Sequence, residues 1–211
     1  MTRVKICGVT NLDDARHAMD CGADELGFNF YSGSPRYVSP DDARSIIDDL
    51  PITSDNVGVF VNEPIEKVIE ISSFVGLDGI QLHGDESGAY VEEILERTML
   101  FVIKAFRVSP TFSVIDALEW NTHYYLFDTY SAHLHGGTGQ TFDWERFGAD
   151  IIHWVPHLAY LAGGLTSENV GKAIKIVRPY AVDVASGVES APGKKDPKKV
   201  QAFIKAAKGA I

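Results

Sequence analysis

The chain has 211 residues, with 19 Lys and Arg against 29 Asp and Glu, so its formal net charge at pH 7 is −10. Binding to nucleic acid or to an anionic membrane surface needs a basic face, so we expect neither partner. The length and a hydrophobic content of 45% are typical of a single globular domain, here residues 1–211. With only two cysteines, no signal-peptide pattern and no apolar run near the ~18 residues of a membrane span, we expect a cytoplasmic protein with reduced thiols.

Eight short apolar runs recur along the chain, rich in β-branched and aromatic residues and bordered by glycine or polar residues. Such runs predict buried strands. They begin at Val4, Glu25, Asn56, Asp78, Met99, His123, Leu158 and Tyr180. Their apolar residues are continuous rather than alternating, which indicates a parallel sheet covered on both faces.

Amphipathic segments separate these runs, and several of them open with helix-start patterns. The predicted starts are Thr10 with Asp13 as a capping box, Ser39 before Pro40, Ser109 before Pro110, Thr166, and Asp196 before Pro197.

Strand and helix alternate about eight times, at about 26 residues a unit, which fits two architectures. One is a doubly wound open sheet, and the other is a closed (β/α)8 TIM barrel. A doubly wound sheet usually has fewer strands and a glycine-rich turn after the first, whereas here the first strand ends in Cys7–Gly8 without a G-x-G-x-x-G motif. We therefore predict a single α/β domain with a closed parallel barrel, whose chemistry lies where strands end and helices begin.

The ends of the last two predicted strands are glycine-rich. Gly163 and Gly164 follow the seventh strand, and Ser186 and Gly187 follow the eighth. Glycines let backbone N–H groups approach an anion, and a short helix opening near Val188 would add its positive end, so we predict a phosphate site. The alternative is that these glycines only end strands and begin turns. The segment GVESAPGKK lacks P-loop spacing and the P-loop Ser or Thr.

Two strand ends carry candidates for proton transfer. Asp128 follows the apolar run YYLF, and apolar walls favour a protonated carboxyl, which suits a general acid at neutral pH. The alternative is an Asp that caps a loop. Cys7 ends the first strand at the same edge of the barrel. A free Cys is more often an inert buried residue, so its catalytic interpretation depends on the pairing with Asp128, while Cys21 is expected to be structural.

Three further polar residues are placed by the same strand and loop assignments. Arg36 lies in the loop after the second strand, where a guanidinium suits a substrate carboxylate. His83 ends the fourth strand and either lines the site or serves structure. Lys5 shares the strand parity of Cys7, so we expect it to point into the barrel and to pair with an inward carboxylate such as Asp183.

The loop after the sixth strand contains His133, His135 and the segment GGTG that begins at Gly136. Two histidines without a nearby ligand set do not predict a metal site. The glycines indicate a mobile loop that could serve as a lid.

Nine motifs cover essentially the whole chain in order. They are KICG at Lys5, LGFNFY at Leu26, SPRYVS at Ser34, VGVFVNE at Val57, GIQLHGDE at Gly79, FDT at Phe127, GGTGQTFDW at Gly136, LAGGL at Leu161 and VDVASGVESAPGKKD at Val182. Several are long and not general to barrels. Together they resemble the phosphoribosylanthranilate isomerase family of tryptophan biosynthesis.

The resemblance implies an Amadori rearrangement of N-(5'-phosphoribosyl)anthranilate. By motif, Cys7 would be the general base, Asp128 the general acid, and Arg36 the partner of the anthranilate carboxylate. The phosphate would be held by Gly163, Gly164, Ser186 and Gly187. One departure is Ala185, where the family often has Ser, but its backbone N–H is retained.

This chemistry requires Asp128 to be protonated and leads us to expect a lowered pKa for Cys7. We expect no metal and no organic cofactor, because the substrate supplies its own electron sink. The alternatives are another phosphate-binding sugar isomerase, which more often has paired Asp residues on strands one and five, and a barrel that binds a phosphorylated ligand without catalysis. Either a monomer or a homodimer fits the sequence.

Overall fold

The computed structural model of the chain describes residues 1–109, 111–129, 143–155 and 157–210. Eight parallel strands close into a barrel in chain order, with β8 paired to β1. They are β1 (Arg3–Cys7), β2 (Glu25–Asn29), β3 (Asp55–Phe60), β4 (Gly79–Leu82), β5 (Phe101–Val108), β6 (Tyr124–Thr129), β7 (Ala159–Leu161) and β8 (Ala181–Val184). The closed TIM barrel is therefore confirmed over the open doubly wound sheet.

Each strand of the barrel is followed along the chain by a helix. They are α1 (Leu12–Asp20), α2 (Pro40–Asp48), α3 (Ile65–Val75), α4 (Gly88–Arg97), α5 (Val114–Ala117), α6 (Trp144–Trp154), α7 (Val170–Val177) and α8 (Pro197–Lys208). Within the described residues, no helix is long and apolar enough to cross a membrane.

Two predicted helix starts are confirmed by their hydrogen bonds. The Ser39 side chain accepts from the backbone N–H of Asp42 at the start of α2. The Asp196 side chain accepts from the N–H groups of Lys198 and Lys199 at the start of α8. In both helices a proline occupies the first turn, where a backbone N–H would have no acceptor within the helix, so its absence costs no hydrogen bond.

Three predicted starts are wrong in position. In α1 the cap is Asn11, because the Thr10 hydroxyl donates instead to the carbonyl of Gly193. Ser109 begins a turn, and α5 starts only at Val114; Pro110 lies outside the described residues. Thr166 likewise opens a turn, closed by the N–H of Val170, before α7 begins.

The end of β8 differs from the expected short helix. A 3-10 turn covers Ser186–Val188, two residues before the predicted opening. It is followed by a small antiparallel hairpin of β9 (Glu189–Ala191) and β10 (Lys194–Lys195), which the sequence analysis did not predict. We call residues 189–195 the β8 hairpin, because they follow strand β8 along the chain.

Alternate strand residues separate an inner from an outer core. The larger apolar cluster lies between strands and helices, and a smaller one fills the barrel with side chains such as Val57, Ile103 and Tyr160. Lys5 is fully buried inside, and its Nζ lies 3.1 Å from Asp183 Oδ1, which confirms the predicted pair. Register places these two residues side by side on β1 and β8.

Candidate active site

A cavity of about 490 Å³ opens at the carboxyl ends of the strands, where barrels of this kind carry their chemistry. All eight residues predicted for the site line it. They are Cys7, Arg36, His83, Asp128, Gly163, Gly164, Ser186 and Gly187. The structure brings them to one place, while their individual roles stay predictions. His133, His135 and the GGTG segment lie outside the described residues.

Cys7 reaches the cavity because its neighbour on β2 has no side chain. Cys7 and Gly27 are paired in register, and a Cβ atom at position 27 would lie 2.7 Å from Cys7 Sγ. That separation is shorter than any normal packing contact, so a larger residue would displace the thiol. Gly27 therefore sets the position of Cys7 Sγ.

The electrostatics around Cys7 overturn one expectation. Burial raises the pKa of the Cys7 thiol, and the ammonium groups of Lys5 and Lys195 offset this only in part. The lowered pKa expected from the sequence is therefore wrong for the unliganded protein. The reason is desolvation: the thiolate would lose its hydration at this wall, close to the carboxylate of Asp183. Cys7 is a thiol at neutral pH before a ligand binds.

Asp128 is buried near the end of β6, at the wall of the cavity. Its Oδ1 accepts the backbone N–H of Thr129 at 2.7 Å. Its Oδ2 lies 3.4 Å from His83 Nε2. Gly163 gives this carboxyl its space, since a Cβ there would lie 2.7 Å from Asp128 Oδ1.

Five polar side chains form a connected row at the cavity, and all of them except the enclosed Lys5 line it. Asp183 Oδ1 lies 3.1 Å from Lys5 Nζ, which donates to Gln81 Oε1 at 2.6 Å. Gln81 Nε2 lies 2.8 Å from His83 Nδ1, and His83 Nε2 in turn faces Asp128. We call Asp183, Lys5, Gln81, His83 and Asp128 the polar row. It extends from beside Cys7 to the carboxyl on the other side of the cavity.

Arg36 lies at the rim with most of its side chain buried, held by the β8 hairpin. Its Nε and Nη2 donate to the two carboxylate oxygens of Glu189 at 2.9 and 2.8 Å. Lys195 Nζ also donates to Glu189, at 3.0 Å, and to the carbonyl of Cys7. Burial alone would raise the pKa of Glu189, but Arg36 and Lys195 outweigh it and lower that pKa. One carboxylate thus holds two cations, and the cluster carries a net positive charge.

The two glycine loops adopt conformations that require glycine. Gly163 and Gly164 have φ values of +84° and +63°, in the left-handed region. At Gly187 a Cβ would lie 1.9 Å from the carbonyl oxygen of Leu165, so the loops after β7 and β8 touch there. This close approach forms one end of the cavity beside Ser186.

Sequence reasoning missed four residues that shape the site, namely Gln81, Glu189, Lys195 and Gly27. Gln81 could have been found, because it has the inward parity of His83 on β4. Glu189 and Lys195 lie in a hairpin without an apolar pattern, so only the folded chain shows that they reach Arg36.

The family model described as N-(5'phosphoribosyl)anthranilate (PRA) isomerase matches residues 4–206. The chain is 48% identical to N-(5'-phosphoribosyl)anthranilate isomerase of Thermotoga maritima, covering 99% of this chain and all of that one. It is 47% identical to the enzyme of Trichlorobacter lovleyi, over the full length of both.

Solved structures agree with these sequence matches. The crystal structure of the Thermotoga maritima enzyme superposes with a TM-score of 0.90 at 47% identity, covering 99% of this chain and 100% of that chain. A second isomerase structure, in complex with reduced 1-(o-carboxyphenylamino)-1-deoxyribulose 5-phosphate, has a TM-score of 0.86 at 45% identity and the same coverage. The chain therefore belongs to the N-(5'-phosphoribosyl)anthranilate isomerase family.

Proposed function

We propose that the protein converts N-(5'-phosphoribosyl)anthranilate to 1-(2-carboxyphenylamino)-1-deoxyribulose 5-phosphate by an Amadori rearrangement in tryptophan biosynthesis. The observation that carries the proposal is that a thiol, Cys7 on β1, and a carboxyl, Asp128 on β6, line one cavity. The two strands lie three places apart around the barrel. Acid and base can therefore act on different atoms of one small substrate.

The first step is the opening of the ribose ring by Asp128. The carboxyl gives its proton to the ring oxygen, the bond between that oxygen and C1' breaks, and the nitrogen lone pair forms a C=N bond. The product is an open-chain iminium cation and an Asp128 carboxylate. The backbone N–H of Thr129 donates a hydrogen bond to Asp128 Oδ1 and so stabilises the resulting carboxylate.

The second step is the removal of the C2' proton by Cys7. Because burial keeps Cys7 a thiol in the unliganded protein, we infer that the iminium charge, added to those of Lys5 and Lys195, lowers the thiol pKa so that Cys7 releases its proton to water and becomes the thiolate. Proton removal then leaves an enolamine, which gains a proton at C1' and loses one from the C2' hydroxyl to become the ketone. The iminium of the substrate is the electron sink, so the route uses no cofactor.

The two charged ends of the substrate have separate positive partners. The anthranilate carboxylate would lie at the Arg36 cluster, whose Glu189 pairing leaves Nη1 for a ligand. The phosphate would lie at the loops of Gly163, Gly164, Ser186 and Gly187. His83 lines the same cavity and would contact the sugar.

The assay is the loss of anthranilate fluorescence when the purified protein meets freshly made substrate. We expect turnover, with 1-(2-carboxyphenylamino)-1-deoxyribulose 5-phosphate as the only product by mass and NMR. Binding of the product analogue without turnover would instead identify a ligand-binding barrel and contradict the proposal.

The proposal includes the setting of the enzyme. It acts as one domain of residues 1–211 in the cytoplasm on a small phosphorylated molecule, without nucleic acid or membrane. A monomer and a homodimer both stay compatible with it; one similar solved structure, 45% identical, is of monomers generated from the dimeric Thermotoga maritima isomerase.

A further inference from the structure

Lys5 and Gln81 of the polar row transfer no proton in the reaction steps above, where Lys5 contributes only its charge near Cys7. Both side chains are enclosed, in a barrel interior that otherwise holds apolar residues such as Val57 and Leu126. Burying an ammonium and an amide is costly unless their hydrogen bonds are made. Lys5 donates to Asp183 on one side and to Gln81 on the other, and the Gln81 amide continues to His83.

Lys5 fixes which way the Gln81 amide faces. An ammonium group can only donate hydrogen bonds. Burial alone would lower the pKa of Lys5, but Asp183, Cys7 and Glu25 outweigh it and raise that pKa, so Lys5 stays charged. Gln81 must therefore present Oε1 to Lys5 and its NH2 group to His83.

The amide in turn fixes the tautomer of His83. Gln81 Nε2 is a donor, so His83 Nδ1, 2.8 Å away, has to accept. A neutral imidazole that accepts at Nδ1 carries its proton on Nε2. Among the described residues this Nε2 has no hydrogen-bond partner of good geometry, yet it lies 3.4 Å from Asp128 Oδ2.

We propose that Gln81, held by Lys5, is a positioning residue that keeps His83 in its Nε2–H form, so that this N–H faces the Asp128 carboxyl. The effect of this positioning on kcat rests on the proposed function. When Asp128 gives its proton to the ring oxygen, the N–H groups of Thr129 and His83 face both oxygens of the new carboxylate and stabilise it.

The opposite tautomer would hinder the same step. With its proton on Nδ1, His83 would present a lone pair at Nε2 to Asp128 Oδ2. That lone pair accepts the carboxyl proton and so keeps it from the substrate. Selection of the tautomer by Gln81 therefore favours proton transfer to the sugar, and the effect is on kcat rather than on substrate binding.

The direct test is 15N NMR of histidine-labelled, unliganded protein, which distinguishes the protonated from the unprotonated ring nitrogen. The chain has seven histidines, and the His83→Asn variant assigns the His83 signals. We expect Nε2 protonated and Nδ1 unprotonated in the wild type. A wild-type His83 with its proton on Nδ1 overturns the proposal, and this measurement needs no substrate.

Gln81→Glu tests the consequence. Its carboxylate can accept from both Lys5 and His83, so we expect a proton on Nδ1 and a kcat lower by roughly 10–100-fold, less than the ~10²–10⁴-fold of losing an acid outright, with KM within about twofold. Gln201→Glu, exposed on α8, is the matched control and should keep wild-type values. Wild-type kcat in Gln81→Glu overturns the positioning role. Failure of the proposed function is distinguishable from failure of the positioning role, because in that case the wild-type protein itself shows no turnover.

Discussion

Arg36 and Glu189, separated by 153 residues in the chain, form a two-pronged ion pair at the rim of the cavity. The planar guanidinium and carboxylate match in geometry, which fixes the Arg36 side chain before any ligand arrives. Gly8 allows this placement, since a Cβ there would lie 2.6 Å from Arg36 Cδ. A preformed guanidinium loses little freedom on binding a second carboxylate at its remaining N–H groups.

Arg36→Ala tests this carboxylate site. We expect KM to rise about 10–100-fold, because a hydrogen bond to a charged group contributes roughly 1.5–3 kcal/mol, while kcat changes little. Steady-state kinetics by fluorescence measures both constants. The control is Arg44→Ala, which removes an exposed ion pair with Asp48. An unchanged KM in Arg36→Ala would exclude the residue from the substrate site.

Gly27→Ala tests the space that the thiol needs. The added methyl group would lie 2.7 Å from Cys7 Sγ, so the thiol has to move, and we expect kcat to fall by at least about tenfold. Gly88→Ala is the matched control, because the nearest atom to its added Cβ is 3.8 Å away. Equal kcat values for the two variants would show that the position of Cys7 Sγ does not limit the reaction.

The raised pKa of Cys7 is open to measurement in the unliganded protein. Alkylation by iodoacetamide needs the thiolate, so its rate should rise with pH and reach half its maximum above the ordinary thiol pKa of 9.0. In the Cys21→Ser variant only Cys7 reacts, and mass spectrometry follows the rate. A midpoint below 9.0 would mean that Lys5 and Lys195 outweigh burial, contrary to this account.

The buried pair of Lys5 and Asp183 predicts a coupled loss of stability. Lys5→Met leaves a carboxylate buried without its cation, so we expect the free energy of unfolding to fall by about 3–5 kcal/mol. The double variant with Asp183→Asn should be more stable than the sum of the single losses by about 1–3 kcal/mol. Urea unfolding measures all three variants.

The exposed pair of Lys172 and Glu145 serves as the comparison for that cycle, and Lys172→Met should change the unfolding free energy by less than about 1 kcal/mol. Strict additivity of the Lys5 and Asp183 variants would mean that the two residues do not stabilise the fold together.

Much of the fold could be predicted because its determinants are local. Each strand of a covered parallel sheet is a continuous apolar run, and strand parity alone paired Lys5 with Asp183. Helix starts were less reliable, because Thr10 and Asn11 are both good caps and only a distant carbonyl, at Gly193, engages Thr10.

The site residues could be located from strand ends, but their electrostatics could not. The sign of the Cys7 pKa shift depends on burial, on Lys5 of the same strand, and on Asp183 and Lys195 from two distant segments of the chain. Glu189, the partner of Arg36, lies in the β8 hairpin, and the sequence of that hairpin has no periodic apolar pattern from which strands could be predicted. Such pairings follow from tertiary structure alone.

The most direct test of the account is the kcat of Cys7→Ser and Asp128→Asn, each confirmed as folded by circular dichroism, with Cys21→Ser as the control. Because each change removes one positioned proton-transfer group, we predict that kcat falls by roughly 10²–10⁴-fold in both variants and stays at the wild-type value in the control. Wild-type turnover by either Cys7→Ser or Asp128→Asn would contradict the acid–base assignment at its centre.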